Sequence, residues 1–181
     1  MAEFRRDRKL SLSAAFFSFG IICGILTGRY SSASVAAMTA EKIRECFSLP
    51  AAATGALLAM TVPILLLLLS MTLFGALLIL PCVLLSGGLV GWSVCCLLRC
   101  GAVDTLPIPM LLCALIVQAP CLVLIAAACI RLSASLRTTV SGAGLRRPDI
   151  AADLRLLAVC FLVKLLSAVL LSMLLQRITM I

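Results

Sequence analysis

The stretch from Ala51 to Leu98 contains no charged residue. As one continuous helix it would be about 70 Å long at 1.5 Å per residue, while the hydrocarbon core of a bilayer is about 30 Å thick. The stretch therefore contains two crossings joined by a tight turn, or one crossing followed by broken half-helices. Pro63, Pro81 and the Ser86-Gly87-Gly88 group are the predicted breaks, because proline and glycine interrupt helices.

The composition excludes a soluble globular protein. Hydrophobic residues make up 64% of the 181 residues and charged residues 12%, so there is too little polar surface to cover a core. The formal net charge is +8, but the basic residues lie in short gaps between apolar runs. This placement is typical of orientation in a membrane and does not favour nucleic-acid binding.

The apolar runs predict an all-α, polytopic membrane protein with about five transmembrane helices. The helices carry Pro/Gly breaks, and residues 1–181 form a single integral membrane domain. The first apolar run could also be read as a signal peptide, but its length favours an uncleaved first span. The predicted spans are residues 10–28, 52–70, 73–98, 106–132 and 156–175.

The distribution of basic residues favours five crossings over four. With five crossings the inner side holds nine basic residues and the outer side five, whereas four crossings would move a basic loop, residues 133–155, to the outside. The positive-inside rule therefore predicts a cytoplasmic N-terminus and loop and an external C-terminus. The inner set is Arg5, Arg6, Arg8, Lys9, Arg131, Arg137, Arg146, Arg147 and Arg155, and the outer set is Arg29, Lys42, Arg44, Arg99 and Arg177.

The outer loop of residues 29–50 contains a short amphipathic segment. From Ser34 to Phe47 its apolar residues follow a helical period, with charged residues on the other side. This pattern predicts an interfacial helix. Two interpretations stay open, a helix lying on membrane lipid and a helix that binds a partner.

The sequence predicts no enzyme and no cofactor or metal. The predicted spans contain neither a carboxylate nor a histidine, and the seven acidic residues lie in loops or at chain ends. General acid-base or nucleophilic catalysis inside the membrane would need such groups. Cys95, Cys96 and Cys100 lack the second pair of ligands that a zinc site needs, and small packing residues are the better interpretation.

Lys164 and Gln118 are the candidate polar residues inside the membrane. Lys164 lies near the middle of the last predicted span, where a lysine costs a few kcal/mol. We expect it to point inward, to helix-end carbonyls, Gln118 or a water-filled cleft, or to pair with an acid of another protein. Gln118 lies near a predicted proline kink at Pro120. Two interpretations stay open, a glutamine that bonds the carbonyl freed by the proline, which is favoured, and a contact to a pore or substrate.

The glycines before Trp92 predict a helix-packing face. Small residues let helices approach closely in lipid, where association depends on packing. The face comprises Gly87, Gly88 and Gly91, with Ser86 and Ser93 adding small surface. Trp92 is predicted to lie near the outer interface or one turn below it.

The order of these residues resembles the stage II sporulation protein M family. The resemblance covers most of the chain, from the segment Phe16 to Gly28 through the glycine-rich span and the kinked span to a Ser-x-x-Leu-Arg-like exit. The positions that carry it are Gly75, Gly87, Gly91, Trp92, Ser93, Gly101, Gln118, Pro120, Ser135, Leu136 and Arg137.

The resemblance implies a non-enzymatic membrane scaffold of sporulation engulfment, located in the cell membrane of a bacterium. Such a protein would hold peptidoglycan-degrading partners, an amidase/endopeptidase and a lytic transglycosylase, at the septal membrane. The competing interpretation is a membrane subunit of a transporter or permease, including one of the ATP-binding-cassette type, with Lys164 in a substrate cleft. Membrane lipid is a partner in both cases, and the sequence leaves a homo-oligomer open.

Overall fold

Six α-helices make up the regular structure of this computed structural model. The structure describes the backbone of residues 2–46, 51–72, 74–100, 107–140 and 147–179, and the side chains of residues 8–42, 60–72, 74–100, 116–137 and 150–170. The regular structure in these residues is all helical, which confirms the predicted class. The helices are α1 (Ala2–Tyr30), α2 (Ala33–Cys46), α3 (Ala51–Ser70), α4 (Gly75–Arg99), α5 (Pro107–Val140) and α6 (Arg147–Thr179).

Three helical segments of the described chain are long and apolar enough to cross a membrane. They are Arg8–Tyr30 in α1, Gly75–Arg99 in α4 and Ile116–Arg137 in α5. The described end of α3 adds a shorter apolar segment, Met60–Ser70. Residues 150–170 of α6, whose side chains the structure describes, are also apolar but include three charged residues, Asp153, Arg155 and Lys164.

The predicted breaks at Pro63, Pro81 and Ser86-Gly87-Gly88 are wrong. Pro63 lies inside α3, and Pro81 and the glycines lie inside α4. The predicted kink residue Pro120 likewise lies inside α5. A proline removes one backbone hydrogen bond, but neighbouring helices and hydroxyl side chains can compensate for this loss in a membrane helix.

The chain turns instead between Ser70 and Gly75, where hydroxyl groups replace helical hydrogen bonds. Ser70 Oγ donates to the carbonyl of Leu67 at 2.6 Å, and Thr72 Oγ1 donates to that of Leu69 at 2.7 Å. The backbone amide of Thr72 also donates to the carbonyl of Leu69, at 3.0 Å. These local bonds satisfy the last carbonyls of α3, which lets the helix end inside an uncharged sequence.

Ser133 of α5 fastens this turn to the rest of the bundle. Its hydroxyl accepts a hydrogen bond from the amide of Ala76 at 3.3 Å and donates to the carbonyl of Thr72 at 3.4 Å. Arg137, one turn further along α5, lies over the ring of Phe74 at 6.0 Å. The C-terminal half of α5 and the turn between α3 and α4 therefore lie at the same end of the protein.

An ion pair joins α5 to α6 near this end. Nε of Arg131 donates to Oδ1 of Asp153 at 2.7 Å, and Nη2 of Arg131 lies 2.7 Å from the same oxygen. Both side chains are 15% exposed, so the pair is mostly shielded. Further along, Cys121 of α5 lies near Cys160 and Lys164 of α6. The residue numbers fall along α5 while they rise along α6, so these helices are antiparallel.

The directions of α1, α3, α4, α5 and α6 alternate. α4 returns from α3 through a four-residue turn, α5 runs against α4, and α6 runs against α5. α1 is parallel to α4, because Phe17 and Ile21 meet Gly87 and Gly91 in the same order along both helices. The buried hydrophobic core lies between α3, α4, α5 and α6, with Phe17 of α1 at its edge. Its fully buried members include Leu66, Ile79, Val83 and Ile125.

Candidate functional site

A row of glycines on α1 brings its backbone against the backbone of α4. Gly20, Gly24 and Gly28 recur every fourth residue, which places them on one face of the helix. A Cβ atom added at Gly20 would overlap the carbonyl oxygen of Leu84, and one added at Gly24 would overlap that of Gly88. The two helices therefore approach more closely than any residue with a side chain would allow at these positions.

The predicted packing glycines of α4 form the other half of this contact. A Cβ atom at Gly87 would overlap the carbonyl oxygen of Phe17, and one at Gly91 would overlap that of Ile21. Gly88 differs from them, because a Cβ atom there would lie 3.6 Å from the carbonyl oxygen of Gly20, an ordinary contact distance. Gly88 borders the contact without limiting how closely the helices approach.

Gly88 opens onto a groove between α1 and α4. The groove holds about 240 Å³; its floor includes Gly20, Gly24 and Gly88. Leu85 and Leu89 stand along it and are 63% and 68% exposed. Trp92, the only tryptophan of the chain, lies half-buried at one end. The adjacent Ser93 bonds within its own helix, from Oγ to the carbonyl of Leu89 at 2.8 Å.

Arg99 holds the C-terminal ends of α1 and α4 together. Its Nη1 donates to the carbonyl oxygens of Gly28 and Ser31, each at 2.8 Å, and lies 3.4 Å from Ser31 Oγ. The last carbonyls of a helix have no partner within the helix and carry partial negative charge. The Arg99 guanidinium, from the neighbouring parallel helix, donates hydrogen bonds to these carbonyls and places a positive charge beside their partial negative charge.

The short helix α2 packs on the same end of α4. Ala36 and Ala40 are buried, at 2% and 5% exposure, and Thr39 lies beside the buried Cys96. The opposite face of α2 carries Met38, which is 62% exposed, and the half-exposed Val35. The prediction placed a helix at residues 34–47, and α2 spans Ala33–Cys46. The side chains of residues 43–50 lie outside the described part of the structure.

Lys164 is buried inside the bundle, at 5% exposure. Cys160, one turn earlier on α6, and Cys121 on α5 are also buried, and Cys121 lies within electrostatic reach of the ammonium group. Among the described residues the Lys164 ammonium forms no hydrogen bond and no ion pair, since Asp153 is paired with Arg131. An inward orientation of Lys164 was predicted from the sequence, and the group placed near its ammonium in the described part of the chain is the Cys121 thiol.

Gln118 is half-buried and Pro120 exposed on α5, one turn before Cys121. Of the other predicted residues, Gly75 and Arg137 lie at the opposite end of α4 from Trp92. A Cβ atom added at Gly75 would overlap the carbonyl oxygen of Leu69, so this glycine permits the tight exit from the turn. The predicted residues thus lie in three places, which are the contact between α1 and α4, the parts of α5 and α6 that hold Gln118 and Lys164, and the turn before α4. Gly101, which belongs to the resemblance, lies outside the described residues.

No metal-binding group is found in the described part of the chain, where no three His, Cys, Asp or Glu side chains are gathered. The cysteines at the end of α4 differ in burial, since Cys96 is buried whereas Cys100 is exposed. Two features of the contact between α1 and α4 were not predicted from the sequence. The first is the α1 glycines Gly20, Gly24 and Gly28, which face α4, and the second is Arg99, which joins the ends of the two helices. The four-residue spacing of the three glycines was the available signal.

The fold and these contacts define an all-helical protein with membrane-length helices and a closely packed parallel helix pair. Comparison with protein families, with curated proteins and with solved structures finds no match for the chain. The resemblance to the stage II sporulation protein M family therefore stays a prediction.

Proposed function

We propose that the chain crosses the membrane five times and serves as a non-enzymatic scaffold that presents α2 to a partner outside the bilayer. The alternating directions of α1, α3, α4, α5 and α6 support this topology, since α1 and α4 are parallel and α3 returns between them. The excess of basic residues at the end that holds Arg131 and Arg137 supports a cytoplasmic position for that end.

This topology predicts opposite locations for residue Gly144 and the C-terminus. A green fluorescent protein fused after Gly144 is expected to be fluorescent in bacteria, and alkaline phosphatase fused after Ile181 is expected to be active. Each reporter works on only one side of the membrane, so exchanging the two should abolish both signals. Active phosphatase after Gly144 would contradict five crossings with a cytoplasmic N-terminus.

The observation that carries the scaffold proposal is the position of α2. Its alanine face is fixed on α4, and α4 is fixed to α1 by the glycine contact and by Arg99. The exposed face of α2 therefore has a defined orientation, with Met38 and Val35 pointing away from the protein. Preorganised apolar residues of this kind are suited to recognition, because little ordering is needed on binding. By resemblance, the partners are peptidoglycan hydrolases at the septal membrane.

Replacing Met38 by Asp is expected to reduce recovery of these partners about tenfold, which corresponds to a loss of about 1.4 kcal/mol at one interface residue. The measurement is affinity purification of the tagged chain in mild detergent from source cells entering sporulation, with quantitative mass spectrometry of the wall hydrolases. Met38→Leu is the matched control, since it keeps an apolar side chain of similar size.

Two outcomes would contradict the scaffold proposal. Equal hydrolase recovery with the wild type and with Met38→Asp would show that the exposed face of α2 does not contact the hydrolases. Recovery of an ATPase without any wall hydrolase would favour the second candidate, a transporter subunit. The observation that supports that candidate is Lys164, which is buried and has no ion-pair partner among the described residues, because charged residues inside membrane bundles mark substrate or ion paths in many transporters.

A further inference from the structure

We propose that the groove between α1 and α4 is a binding site for one anionic phospholipid. In this site an acyl chain lies over the glycine floor, and the phosphate group bonds to Arg99. The proposal is independent of the scaffold function and rests on the shape of the groove and on the charge at its end.

The shape of the groove fits a hydrocarbon chain. Its floor is glycine, and Leu85 and Leu89 rise beside it with more than half of their surface exposed. Both flanking helices are long and apolar enough to cross the membrane, so the groove opens towards lipid. Its volume is about 240 Å³. Within a membrane span this space is filled by an acyl chain or by another helix.

The charge at the end of the groove selects an anionic lipid as the occupant. Arg99 follows Trp92 by seven residues on α4, which is about two helical turns and nearly the same face. It also reaches Gly28, the next glycine in the row that begins with Gly20 and Gly24. Arg99 therefore lies beyond Trp92, past that end of the groove.

The guanidinium of Arg99 retains hydrogen-bonding capacity. Its contacts to α1 all use Nη1, and the side chain is exposed, so Nε and Nη2 can donate to a further acceptor. Arginine binds phosphate oxygens with two parallel donors. Trp92 lies between the apolar floor and this cation, and tryptophan is a residue that membranes favour beside lipid headgroups.

Trp92 makes the test direct, because it is the only tryptophan of the chain. The protein is reconstituted in phosphatidylcholine vesicles that contain either phosphatidylglycerol or phosphatidylcholine with brominated acyl chains, at equal mole fractions. Bromine quenches tryptophan fluorescence on contact. We expect the association constant at Trp92 to be about fivefold higher for phosphatidylglycerol, the preference given by one basic residue at a membrane surface.

Arg99→Gln should abolish this preference, and Arg29→Gln should leave it intact. Arg29 lies in the last turn of α1 and is exposed, so its removal changes the net charge equally. It is two residues beyond the groove-lining Thr27, about 200° around the helix and away from the groove. If Arg99→Gln fails to fold, Gly88→Leu provides the test, because its side chain occupies the groove while its Cβ atom fits beside α1.

Three results would overturn the proposal. The first is equal quenching by the two brominated lipids in the wild-type protein. The second is equal loss of preference with Arg29→Gln and Arg99→Gln, which would indicate a general attraction of charge. The third is protection of Trp92 from both lipids, which would mean that a protein helix, from a second copy or another chain, fills the groove.

Discussion

Gly24→Ala is expected to destabilise the protein by about 1–3 kcal/mol, the usual cost of forcing an extra methyl group into a packed site. The added Cβ atom would overlap the carbonyl oxygen of Gly88 and lie 2.8 Å from the amide nitrogen of Trp92. Both are backbone atoms of α4, so no side-chain rotation relieves the overlap and the helices must move apart. Separation would also lengthen the bonds from Arg99 to Gly28 and Ser31. The thermal midpoint in detergent, followed by size-exclusion chromatography with fluorescence detection, measures the effect.

Gly88→Ala is the matched control for this experiment. It adds the same methyl group to the same helix contact, but the new atom lies 3.6 Å from the nearest atom of α1. We expect its stability to stay within about 0.5 kcal/mol of the wild type, as for substitutions without a steric conflict. Alanine has the higher helix propensity, so helix propensity alone would give no loss in either variant. Equal losses for the two variants would therefore contradict the role assigned to the close contact at Gly24.

The contrast between these glycines marks what sequence patterns can and cannot predict. Spacing alone places Gly87 and Gly91 on one face of α4 and predicts packing there. It does not identify the partner helix, because the rotation and order of helices in a bundle depend on all contacts together. Nor does it predict that a Cβ atom would fit at Gly88 but not at Gly87, since the two positions differ by only one residue around the helix.

The turn between α3 and α4 shows a second limit of the sequence. Proline and glycine were expected to break the uncharged stretch, yet α4 runs through Pro81 and Gly87. The chain turns where the hydroxyls of Ser70 and Thr72 bond to their own helix and Ser133 approaches from α5. Ser133 is more than fifty positions away in the sequence, so local propensity carries little information about this turn.

For the charged residue Lys164 the sequence likewise predicts one property, its burial, but not its neighbours. Hydropathy placed it near the middle of the last apolar run, and the energetic cost of a cation there predicted an inward orientation. The structure buries it, as that cost requires. Its closeness to Cys121 could not be predicted, because that contact depends on how α5 and α6 face each other.

Lys164→Met is therefore expected to increase stability, by about 2.5–3.5 kcal/mol on insertion scales for a helix centre. Methionine fills a similar volume with an unbranched apolar chain and removes a charge that has no counter-charge among the described residues. The thermal midpoint of the full chain should rise, and α6 should insert more efficiently in a glycosylation-mapping assay. Such a gain would mean that the lysine is retained for a role other than stability.

Arg155→Met is the control for Lys164→Met, because it removes one positive charge from an exposed position near the start of the same helix. We expect its midpoint to change by about 0.5 kcal/mol or less, as for most surface substitutions. The sign of the Lys164→Met effect decides between two physical situations. Removing one member of a buried ion pair costs about 3–5 kcal/mol, since the other charge is left alone. A lower midpoint would therefore contradict the unpaired state and place a carboxylate next to Lys164, from a residue beyond the described part of the chain or from a bound partner.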